Sequence, residues 1–145
     1  MQGEVIPFEK IEVGMSANYF QTIKDIDIKK FAAVSNDYNP VHLDDDYALK
    51  SRFKKRIAHG LISGSFFSAL FGTKIPGLGC VYVQQTFNFK KPVYLDDTVI
   101  ATVTVTSIDK IKRRVFFESI KIFFIWYPIC NIVLKFCYFF FIKNI

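Results

Sequence analysis

The stretch Phe31–Ser65, FAAVSNDYNPVHLDDDYALKSRFKKRIAHGLISGS, contains both histidines of the 145-residue chain, His42 and His59. Within it, Asp37 and His42 are five positions apart and separated by Asn39-Pro40. The proline cannot continue a helix, so the pair falls at a helix end and in the loop after it. A carboxylate and an imidazole placed there can face one water molecule and exchange protons with it. The same spacing also suits an aspartate that closes a turn and a histidine that only hydrogen-bonds. Spacing alone leaves both readings open.

On the N-terminal side, DIDIKKFAAVSND from Asp25 puts Ile28, Phe31, Ala32 and Ser35 on one helical face, predicting a helix over 27–36 with Asp27 as N-cap. After His42, Asp44, Asp45 and Asp46 supply a cap and an acidic first turn for a short helix to about Arg52. A calcium loop would need a different spacing and a glycine. His59-Gly60 then opens GLISGSFFSALFG, residues 60–72, the best helix candidate in the chain. Leu61, Ile62, Ser65, Phe66, Ala69 and Leu70 recur at helical spacing. Gly60, Gly64, Ser68 and Gly72 form a stripe of small residues that admits close packing. A helix this apolar is expected to be buried on most sides. Backbone N–H groups at its start can hold an oxyanion, although His59 would serve equally as a packing residue there. Ser65 reads as either a polar contact to a ligand or a small packing residue.

Beyond Pro76-Gly77 the period changes to two. In 80–89, Val81, Val83, Phe87 and Phe89 alternate with polar residues and Tyr82. In 98–108, Val99, Ala101, Val103 and Val105 alternate with threonines. These are strands with one buried face, and Asp109-Lys110 with the basic run 112–114 makes a hairpin connection into a third strand from Val115. Short helices, one buried helix and then consecutive strands give an α+β class: an antiparallel sheet packed on one central helix.

Composition narrows the function classes. The chain is 51% hydrophobic and 17% aromatic, with a formal net charge of +6. It is long enough for one domain with a real core. The basic groups Lys54-Lys55-Arg56, Lys90-Lys91 and Lys112-Arg113-Arg114 lack interleaved aromatics, and no nucleic-acid motif accompanies them. Three cysteines without a CxxC pair argue against a disulfide framework and a structural zinc site. GxSxG, GxGxxG and P-loop patterns do not occur. The polar N-terminus is unlike a secretory signal, so the cytoplasm is the expected compartment.

The residues quoted above resemble the signature of the MaoC-like (R)-specific enoyl-CoA hydratases. The match runs through FAAVSNDYNPVH, an acidic helix and IAHGLISGS. IPGLGCVYVQQTFNFKKPVYLDDTV, residues 75–99, resembles the family's first long strand and its turn. The resemblance covers roughly residues 8–118. It implies a hot-dog fold, a homodimer, and reversible addition of water to a trans-2-enoyl-CoA to give an (R)-3-hydroxyacyl-CoA. It also implies Asp37 and His42 as the catalytic pair, with Ser65, Gly60, His59 and Asn39 toward the substrate. The thioester already acidifies its α-position, so the implied chemistry calls for no metal or other cofactor. A non-catalytic acyl-thioester-binding protein, and a related dehydratase or thioesterase, are the alternatives.

The last stretch departs from the family. After Glu118 there is no Asp, Glu or Gly, and IKIFFIWYPICNIVLKFCYFFFIKNI shows no strand alternation. Residues 1–118 are therefore read as the domain and 119–145 as an atypical apolar tail. An altered reading frame, divergent strands completing the sheet and a membrane segment each account for the tail; the fold expectation is final strands that are irregular or disrupted.

Overall fold

The computed structural model describes residues 6–124 and 131–141, with side chains through Ser119. Its elements are β1 (Ser16–Thr22), α1 (Asp25–Ser35), α2 (Pro40–Leu43), α3 (Asp45–Lys50), α4 (Gly60–Thr73), β2 (Cys80–Gln85), β3 (Thr98–Asp109), β4 (Arg114–Phe124) and β5 (Asn131–Phe141). The strands form one antiparallel sheet in the order β1-β3-β4-β5-β2. Helix α4 packs on β1, β2 and β3, so the sheet wraps the long helix in the hot-dog arrangement.

The core follows from the alternation of β3. Val99, Ala101, Val103 and Val105 are buried, and meet Ile62, Phe66, Phe67, Leu70 and Phe71 of α4 in one apolar cluster. The predicted helical face is shifted: Leu61 and Ser65 face outward, whereas Ser63, Gly64 and Phe67 are inside. The small-residue stripe acts at its first two members. A Cβ on Gly60 would lie 2.9 Å from the Phe89 ring, and one on Gly64 would lie 2.9 Å from the Phe87 ring. Those two rings stack in parallel, with centroids 5.7 Å apart.

Three boundaries differ from the sequence reading. Asp27 is not the N-cap of α1; the helix starts at Asp25, and the Asp27 carboxylate accepts the Lys24 N–H at 2.9 Å from the third helical position. The strand read over 80–89 ends at Gln85, and Val81 and Val83 are exposed because β2 is a sheet edge. Strand β1 carried too weak an alternation to be read, with Phe20 on its outer face.

The sequence break at Glu118 falls inside β4, which crosses it and continues to Phe124. Residues 131–141 pair with β4 on one side and β2 on the other. Of the three readings of the tail, divergent strands completing the sheet is the one this pairing matches. The irregularity takes the form of register shifts at Phe117/Glu118 and Tyr82/Gln84, not of a broken sheet. Residues 125–130 and 142–145 of the tail lie outside the described residues. Among the described residues, no helix is long and apolar enough to cross a membrane.

Candidate active site

The site is assembled by local hydrogen bonds that the sequence supplies within a few residues. Helix α1 ends where Asn36 adopts a left-handed backbone, φ 58°. The chain then turns at Asp37, whose carboxylate accepts the Asn39 N–H at 3.1 Å. Asn39 in turn caps α2, accepting the Val41 N–H at 3.2 Å, and Pro40 occupies the first helical position. This single turn of helix swings His42 inward to 9% exposure.

His42 is fixed by the segment that leads into α4. Its Nδ1 lies 2.8 Å from the Ile57 carbonyl oxygen. A carbonyl only accepts, so Nδ1 carries the proton and Nε2 of the neutral ring keeps a lone pair. Burial pushes the imidazole below the usual histidine range; the Ile57 hydrogen bond opposes this, neighbouring His59 reinforces it, and Asp37 opposes it. The neutral, proton-accepting form is therefore favoured.

His59, only 3% exposed, lies beneath the pair. Its Nε2–H donates to the Asp37 backbone carbonyl at 2.9 Å and sits 3.9 Å from the Asp37 carboxylate. Its ring stacks at a tilt on His42, with centroids 3.8 Å apart, and also packs against the Phe31 ring, with centroids 5.0 Å apart. Its Nδ1 is buried and has no hydrogen-bond partner among the described residues. One polar atom from each of Asp37, His42 and His59 lies within 4.8 Å of the others, the one such group among the described residues close enough to hold a metal ion. The stacked rings turn faces toward each other, and His59 Nε2 is already a donor. The arrangement thus suits a bridging water better than a cation.

His42 and Gly60 line a cavity of about 340 Å³ with apolar walls that include Ile57, Leu61, Phe89 and Val93. Gly60 is the first residue of α4, so its N–H belongs to the unsatisfied first turn of a 14-residue helix. Arg56, 13% exposed, clamps the loop before α4 by bonding Asp25 of α1 at 2.8 Å and Asp45 of α3 at 2.9 Å.

The structure thus brings together Asp37, His42, His59 and Gly60. It uses the Asn39 side chain as a helix cap. It places Ser65 elsewhere: Ser65 Oγ donates to the Ile62 carbonyl, and the residue lines a separate groove with Tyr19, Phe31 and Phe66. Sequence reasoning missed Phe89, which was read as a buried strand residue but is half exposed and forms a cavity wall. The signal for it is indirect: a glycine four residues before another on α4 needs a large partner.

Comparison with known proteins agrees with this geometry. The family model for the MaoC like domain matches residues 8–122. The chain is 49% identical over 112 residues to an (R)-specific enoyl-CoA hydratase of Rhodospirillum rubrum, covering 77% of this chain and 78% of that protein. It is 40% identical over 110 residues to a 3-hydroxybutyryl-CoA dehydratase of Methylorubrum extorquens, covering 76% and 70%. Among solved structures it resembles an unliganded R-hydratase from Pseudomonas aeruginosa, with a TM-score of 0.88, 36% identity, and coverage of 99% of this chain and 90% of that one. It also resembles the (R)-hydratase of Aeromonas caviae, with a TM-score of 0.85, 31% identity, and coverage of 92% and 98%. A hot-dog sheet around α4, an Asp-His pair at its N-terminus and these likenesses together place the chain in the MaoC-like dehydratase family.

Proposed function

We propose that the protein is an (R)-specific enoyl-CoA hydratase, adding water reversibly to a trans-2-enoyl-CoA. The observation that carries the reading is the orientation of His42. With Nδ1–H spent on the Ile57 carbonyl and burial favouring the neutral ring, Nε2 is left as the base of a residue that lines the same cavity as Gly60. In this mechanism the Asp37 carboxylate and His42 hold one water. Nε2 takes a proton as the water oxygen bonds to C3. The C2=C3 electron pair moves onto the thioester oxygen, where the Gly60 N–H stabilises the enolate-like charge. The imidazolium, steadied by Asp37, returns a proton to C2. Every atom of the water ends on the product.

His59 supports this pair from below, and Asn39 shapes the turn that aims His42. Ser65, in its separate groove, takes no part in these steps. The protein works as a homodimer: among the described residues, β2 is an edge strand of the sheet with exposed Val81 and Val83, and such an edge favours pairing with a second copy. The cytoplasm, where acyl-CoA is available, is the proposed compartment. Strand β5 and the end of β4, residues 119–124 and 131–141, complete this one domain as its last strands.

Crotonyl-CoA mixed with purified protein is expected to lose its enoyl absorbance and yield (R)-3-hydroxybutyryl-CoA. His42→Ala and Asp37→Ala should each lower kcat/KM by about 10³-fold or more, in the range typical of general acid-base groups. A folded wild-type protein without turnover would leave only acyl-thioester binding. Release of free thiol would instead indicate hydrolysis.

A further inference from the structure

Two polar atoms at the start of α4 are buried and have no hydrogen-bond partner among the described residues: His59 Nδ1 and Ser63 Oγ. The two residues are 3% and 1% exposed, and stand about one helical turn apart in the chain. Their hydrogen-bonding characters are complementary. His59 spends Nε2–H on the Asp37 carbonyl, so Nδ1 of the neutral ring is an acceptor. Ser63 brings a hydroxyl that can donate. Two exposed residues of the same helix use their hydroxyls differently: Ser65 donates to the Ile62 carbonyl and Thr73 to the Ala69 carbonyl, each at 2.6 Å. Ser63 makes no such bond back to the helix among the described residues. A buried donor and a buried acceptor left apart each lose their hydration without replacing it. One shared water satisfies both.

We propose that Ser63 is a positioning residue for the hydration: through one buried water its hydroxyl holds His59 Nδ1, and so fixes the ring against which Asp37 and His42 are set. This rests on the hydratase reading, and deepens it by extending the support of the catalytic pair one turn into the core. The His59 ring carries two contacts that bear on the reaction. Its Nε2–H holds the Asp37 backbone carbonyl at 2.9 Å, and its face stacks on His42 with centroids 3.8 Å apart. Rotation of this ring therefore disturbs both members of the pair. A hydrogen bond at the other ring nitrogen opposes that rotation, and also keeps Nε2 as the protonated nitrogen. Ser63 acts through His59 and has no need to touch the substrate.

The test joins NMR of the histidine ring nitrogens to kinetics on crotonyl-CoA. The chain has two histidines, so in protein carrying isotopically labelled histidine the His59 signals are those that remain in His42→Ala. Ser63→Ala is expected to move the His59 Nδ1 signal toward that of an unbonded lone pair. It should also lower kcat about tenfold at unchanged KM, the pattern of a catalytic group held less firmly. Ser63→Thr and Ser63→Val add nearly the same bulk and differ in the hydroxyl, so the threonine variant should keep about tenfold more kcat than the valine variant. If the bulkier pair does not fold, Ser63→Ala decides alone. An unmoved Nδ1 signal in Ser63→Ala would overturn the proposal. So would a moved signal with unchanged kcat, equal losses in the threonine and valine variants, or a loss confined to KM, which would set Ser63 against the substrate. If wild type does not hydrate crotonyl-CoA, the hydratase reading has failed and with it the part of Ser63 in the reaction; the Nδ1 signal then still tells whether Ser63 holds His59.

Discussion

The segment from Ser35 to Gly60 and the pair of strands β4 and β5 are built on opposite principles. In the first, nearly every backbone turn is closed by a side chain one to three residues away: Ser35 accepts the Asp37 N–H, Asp37 accepts that of Asn39, Asn39 that of Val41, and Asp44 that of Tyr47. In the second, the backbone is satisfied by distant partners, with Val115 opposite Phe139 and Arg114 opposite Phe140. Local closure leaves a signature in the order of residues. Non-local pairing asks only for a strand-compatible chain, and leaves little trace in any one segment.

That difference explains what could be read. Asp37, His42 and His59 share one short stretch, and the proline that ends a helix there also starts the next turn, so the site was legible as a group. The α+β class and β3 were legible because Val99, Ala101, Val103 and Val105 face one core against threonines on the other side. Strand β5 was not, because a run of Phe, Ile and Val without alternation does not say which face is buried. The Asp27 error has the same origin on a smaller scale: caps are specified by hydrogen bonds to particular N–H groups, and an aspartate two residues inside the helix serves as well as one at its edge. Ser65 was set toward the substrate by the family resemblance alone, while helical periodicity left its role open; it lines a groove separate from the cavity of His42 and Gly60.

Breaking the non-local half should have the largest effect. Ending the chain at Glu118 removes the second half of β4 and all of β5, and among the described residues β5 is the only strand paired with β2. The shortened chain is expected to show no cooperative thermal transition, measured by circular dichroism. A native-like transition would mean that the final strands are dispensable and that the sheet closes in another way.

Breaking one local closure should cost far less. Asn39→Ala removes the cap that accepts the Val41 N–H, and is expected to lower stability by about 1 kcal/mol, a shift of a few degrees in Tm. Because α2 aims His42, kcat should fall with little change in KM. A raised KM at unchanged Tm would instead show that the Asn39 side chain touches the substrate.

The central claim is that a buried, neutral His42 with a free Nε2 acts as the base, and the pH dependence of kcat/KM for crotonyl-CoA tests it most directly. A base must be unprotonated to work, so its activity is lost as pH falls through its own pKa. Burial lowers that pKa, so the neutral ring persists to more acid conditions than a free imidazole at about 6.5. The predicted acid limb therefore lies below about 6.5 and disappears with the residual activity of His42→Ala. An acid limb at or above that value, or one that survives in His42→Ala, would contradict the assignment of His42 as the base.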